Sequence, residues 1–103
     1  MSIFVICSSA YSPEETRRKI GEADERYHDV LKHFWISGVG AAQKHDGARA
    51  AEHGLIAHST FLIQWNKEGG SEYIPEIPRI IYEVFGRDKV LVFDLDYELI
   101  PPS

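Results

Sequence analysis

One cysteine in 103 residues, Cys7, leaves no internal disulfide to form and suits a reducing compartment. Long apolar runs are missing as well. The longest, Ile3–Cys7 and Val90–Phe93, are far too short to cross a bilayer as a helix. No charged leader precedes an apolar core of about seven residues, so no secretion signal is expected and the expected compartment is the cytoplasm. Basic charge is scarce too, with 11 Lys and Arg against 16 Asp and Glu, for a net charge of -5. The imbalance lies at the end of the chain. Residues 71–103 carry 7 acidic and 3 basic side chains, whereas residues 1–54 carry 8 and 7. Non-specific nucleic-acid binding is driven by phosphate neutralisation and needs several cations close together. Only Arg17-Arg18-Lys19 forms such a cluster, and Glu14, Glu15 and Glu22 flank it.

What is present is the composition of a folded globule, 44% hydrophobic and 12% aromatic, at a length that fits a single domain over residues 1–103. Ser2–Ser9 reads as a strand, because Ile3–Cys7 is short, β-branched and continuously apolar. Ser12-Pro13-Glu14-Glu15 has the residues of a helix start, with Ser12 as cap, Pro13 at the first helical position and Glu15 to complete a capping box. Ile20, Ala23, Tyr27, Val30, Leu31 and Phe34 then trace one helical face, which predicts a helix from Pro13 to Phe34. Residues 38–54 are open between an alanine-rich short helix, capped by Asp46 and stopped by Gly54, and a mobile insertion. Ser59–Trp65 and Lys89–Asp94 read as strands. A second helix falls within Pro75–Phe85, with both prolines in its first turn and Gly86 as its stop. Residues 97–103 form a short terminal strand and tail. Strand, helix, strands, helix, strand is the order of a ferredoxin-like α+β two-layer sandwich, an antiparallel sheet with two helices on one face.

A sheet open to water on one side alternates apolar with polar residues. These strands do not. Phe61, Ile63 and Trp65 oppose Leu62, and Leu91, Phe93 and Leu95 oppose Val90 and Val92. The second face therefore needs a cover, and a second copy of the chain is the simplest one. The expectation is a homodimer joined through Leu62, Val90 and Val92.

Ile3–Ile6, Tyr27–Phe34, Ser59–Ile63 and Gly86–Val92 together resemble small ferredoxin-like proteins of the CRISPR-associated protein 2 and antitoxin endoribonuclease group. The resemblance covers about a third of the chain and implies a sheet-mediated dimer. Nuclease members of that group place an aspartate at the end of the first strand, where this chain has Cys7-Ser8-Ser9-Ala10. Metal-assisted phosphodiester cleavage needs clustered oxygen ligands, so the resemblance implies the fold more than the activity.

Candidate chemistry is sparse. Asp94, Asp96 and Glu98 would share one side of an extended strand and could hold a divalent cation, or simply keep a sheet edge polar. The five histidines lack the converging ligands that zinc requires, although His45 or His53 could act as acid and base near neutral pH. His58-Ser59-Thr60 is half of a two-histidine phosphoesterase signature whose second half is missing. Ser8 and Ser9 have no evident base, and Gly38-Val39-Gly40 lacks the third glycine of a dinucleotide loop. Among the aromatics, Trp65 at a strand end is the one expected to be exposed.

Two readings stand. The first is a non-catalytic homodimeric interaction or regulatory module without cofactor or metal, its acidic surface meeting a basic protein partner. The second is a small ribonuclease or nucleic-acid-binding protein. It would use Arg17, Arg18 and Lys19 for phosphates, and His45, His53, Asp94 or Asp96, with a divalent metal, for chemistry.

Overall fold

In the computed structural model, residues 4–102 are described. They form β1 (Phe4–Ser9), α1 (Pro13–Arg26), α2 (His28–Leu31), β2 (Phe34–Ala41), α3 (Lys44–Ala51), β3 (Ser59–Trp65), α4 (Glu76–Phe85), β4 (Val90–Phe93) and β5 (Leu99–Ile100). The strands make one antiparallel sheet in the order β2-β3-β1-β4-β5. This is the expected ferredoxin-like α+β sandwich, with α1 and α4 on one face and a short fifth strand added at the edge. The predicted strand residues Ser2 and Ile3 lie outside the described residues.

The local signals explain most of the boundaries. Ser12 Oγ accepts from the Glu15 amide at 3.2 Å, and Pro13 occupies the first turn of α1. The helix ends earlier than its apolar face does. Tyr27 leaves the helical region at φ -129°, α2 adds one turn, and Phe34 opens β2 rather than closing a helix. Both the helical face and the strand turn their apolar residues to the same core, so periodicity ran on across the break. Pro75 caps α4 and Pro78 sits in its first turn, where neither removes an interior hydrogen bond.

The main core lies between sheet and helices. It holds Val5, Cys7, Phe34, Phe61, Ile63, Val90 and Val92 from the strands, with Ile77, Ile80, Ile81, Val84 and Phe85 from α4. Val90 and Val92 are therefore not on a dimer face. They are fully buried beneath the helices, and it is Leu91 and Phe93 that point to the opposite side. A four-residue apolar strand has no polar side to fix its orientation, which is why the expected face was reversed.

The opposite side has its own cover. Residues 42–57 fold over the β1–β4–β5 half of the sheet, where Ala50 and Leu55 pack with Leu91, Phe93, Ile6 and Leu99. Asp46 Oδ2 accepts from the Gln43 amide at 3.1 Å to start α3, and Gly54 at φ 80° lets the chain turn back. On this half of the sheet, the apolar second face that suggested another copy of the chain is thus filled from within.

Candidate interaction surface

Each residue proposed for chemistry is accounted for by a structural contact. Asp94 does not continue a strand. Its Oδ1 accepts from the amides of Asp96 at 2.9 Å and Glu98 at 3.0 Å, closing the turn between β4 and β5. Residues 94–98 are consequently not extended, and Asp94, Asp96 and Glu98 do not form a one-sided carboxylate row. His45 lies on the exposed face of α3 with Nε2 3.4 Å from Asp46, whereas the exposed His53 packs its ring 5.6 Å from that of Phe93. Among the described residues, no three His, Cys, Asp or Glu side chains are placed to hold a metal ion.

The basic cluster is also spread by the helix. Successive residues turn by about 100°, and each cation finds a different neighbour. Arg18 pairs with Glu15 at 3.1 Å, and Lys19 with Glu22 at 3.8 Å. Arg17 donates to the Val39 carbonyl at 3.2 Å.

The serines that end β1, Ser8 and Ser9, are buried. Ser9, Thr16 and Ser59 are fully buried. Thr16 Oγ1 donates to Ser9 Oγ at 2.9 Å and lies 2.6 Å from Ser59 Oγ, which reaches the Tyr11 carbonyl at 2.9 Å. This network joins β1, α1 and β3 where the chain leaves the first strand. Burial pushes the Cys7 thiol well above its usual ionisation range, so it is no nucleophile in the folded state.

What the molecule offers instead is surface. On the uncovered β2–β3 half of the second sheet face, Trp35 is 58% exposed and Leu62 37% exposed. The expected exposed aromatic was Trp65, but its indole N–H donates to the Gly69 carbonyl at 2.9 Å and its ring is half-buried. At the other edge, Leu95 and Tyr97 project from the β4–β5 turn, with the Arg49 guanidinium 3.7 Å above the Tyr97 ring. Between α1 and β2 runs a groove of about 380 Å³ lined by Arg17, Ile20, Gly21, Asp24, Leu31, Phe34, Ile36 and Val39. Of these features the sequence placed only Leu62, on the second sheet face opposite Phe61 and Ile63. The groove depends on packing between α1 and β2, and only the half-apolar pattern of β2 hinted at an exposed tryptophan.

Comparison with known proteins supplies the context. A family model described as CDI System Immunity Component matches residues 1–97. A curated relative, immunity protein CdiI-2 of Burkholderia pseudomallei (strain 1026b), is 36% identical over 59 residues, 57% of this chain. The matched stretch spans 58% of that relative's length. A solved structure described as the CdiA-CT/CdiI toxin and immunity complex from Burkholderia pseudomallei contains a chain of the same fold. The TM-score is 0.83 at 23% identity, with 94% of this chain and 95% of that chain covered.

The family match overturns the resemblance to the CRISPR-associated protein 2 group. The segments that carried it belong mostly to β1, β3 and β4, the strands any ferredoxin-like sheet needs, so they reported the fold and not the family. With it go the homodimeric regulatory module, its basic protein partner and the alternative ribonuclease or nucleic-acid-binding function. The module also loses part of its structural argument, since α3 and the segment after it cover the β1–β4–β5 half of the sheet and Val90 and Val92 lie under the helices.

Proposed function

We propose, because this chain belongs to the CDI system immunity component family, that it protects a cell by binding a CdiA-CT toxin domain and blocking its action. The observation that carries this reading is the family match across residues 1–97. The structure agrees in kind. Titratable side chains are dispersed and engaged in local contacts, while apolar and charged groups are presented on a sheet braced from both sides. Such a scaffold suits recognition, because rigid surfaces lose little entropy on binding. The proposed compartment is the cytoplasm, supported by a lone cysteine that has no partner for a disulfide.

The test is protection. The chain is co-expressed with a panel of CdiA-CT toxin domains, that of the Burkholderia pseudomallei complex among them. Growth should be restored against at least one, and the two purified proteins should form a stoichiometric complex. No rescue and no complex with any domain of the panel would refute the reading.

A further inference from the structure

The groove between α1 and the edge strand β2 has a composition that specifies an occupant. Leu31 and Phe34 are buried at its floor, and Ile20, Ile36 and Val39 are half-buried along its sides. Arg17, Gly21 and Asp24 are exposed at its rim, spaced four and three residues apart on one face of α1. Arg17 donates to the Val39 carbonyl but forms no ion pair among the described residues. Among the described residues, Asp24 pairs only with His28, 3.7 Å away and exposed like itself. The rim therefore carries a positive and a negative group two helical turns apart, about 10 Å along the axis.

Gly21 is the informative residue. It sits inside α1, where glycine costs about 1 kcal/mol relative to alanine. Nothing among the described residues requires it. Its φ is not left-handed, and a Cβ built there would meet no atom within 4 Å. A glycine that neither backbone nor packing demands, on the rim of an apolar groove, keeps that groove open to something outside the chain.

We infer that the groove receives an apolar side chain of the toxin domain, flanked on the toxin by a carboxylate that meets Arg17 and a cation that meets Asp24. This rests on the proposed toxin-binding function and assigns the place and polarity of one contact. A desolvated pocket filled by one anchor side chain is where binding energy tends to concentrate.

The experiment measures the affinity of the purified full chain for the CdiA-CT domain it neutralises on co-expression. Gly21→Leu fills the groove while favouring the helix. Its melting temperature should stay level or rise, while Kd increases tenfold or more. Arg17→Glu and Asp24→Lys should each raise Kd by a similar factor, and Arg79→Ala, on α4 and outside the groove, should leave it within twofold. If all three groove variants are folded and bind like the wild type, the groove assignment is overturned while toxin binding stands. A wild-type chain that binds no CdiA-CT domain would remove both. Weakened self-association of free Gly21→Leu, with toxin affinity retained, would assign the groove to another copy and overturn the inference.

Discussion

Gly70 and Gly47 show how differently two glycines act. Gly70 is held at φ 78°, and a Cβ there would run into the His33 ring, which stacks on Tyr73. Gly70→Ala should cost roughly 2 kcal/mol or more, from left-handed strain plus overpacking, and His33→Ala in the same chain should recover part of it. Gly47 lies within α3 with open space at its Cβ position. Gly47→Ala should gain about 1 kcal/mol of helix stability. Urea titrations of the four chains check both signs. Cys7 makes a pH prediction. Burial raises the folded thiol's ionisation point, while the unfolded chain ionises near pH 8.5. Its contribution is full below about pH 8.5 and is lost as pH rises, at roughly 1 kcal/mol per pH unit. Cys7→Ala should flatten that part of the decline, and the native thiol should resist thiol reagents until the protein unfolds.

Among the elements, β5 is the least supported, since two residues pair with β4. Tyr82 of α4 makes up for this. Its hydroxyl donates to the Ile100 carbonyl at 2.6 Å and accepts from the buried Val92 amide at 3.2 Å. Tyr82→Phe should cost roughly 1–3 kcal/mol by leaving a buried donor unpaired, and amide exchange should quicken at Val92. The elements also differed in how far the sequence disclosed them. The runs in β1 and β3, and the prolines and stripe of α4, were legible because each is short and strongly patterned. The end of α1 was not, because Tyr27, Val30, Leu31 and Phe34 face one core whether they come from a helix or from a turn and a strand. The role of α3 was hidden for another reason. It packs through Ala50 and the following Leu55, and small side chains leave no hydrophobic period. The groove could not be read at all, since Ile20 and Val39 meet only after the sheet has formed.

As a whole the molecule has two apolar clusters back to back, sharing strands β1 and β4. Neither can lose its floor without exposing the other. Unfolding should therefore be a single transition, with tryptophan fluorescence from Trp35 and Trp65 coinciding with far-ultraviolet dichroism. A fluorescence change at lower denaturant would instead show the β2–β3 edge opening by itself. The family assignment belongs to this scale as well. No short segment carried it, whereas the match along residues 1–97 did.

The strand order has a consequence for how the chain is made. β1 is synthesised first yet pairs on one side with β3 and on the other with β4, whose last residue is Phe93. The β2-β3-β1 part of the sheet can pair once Trp65 has emerged, but the sheet is not complete until Phe93 has, which at about 5–20 residues per second takes some 5–20 s. During that interval β1 can pair with β3 but its other edge stays open, and the cluster around Leu91 and Phe93 cannot form. When synthesis is interrupted, only molecules already folded present the complete sheet, because a partly made chain lacks the β4 that joins the two apolar clusters.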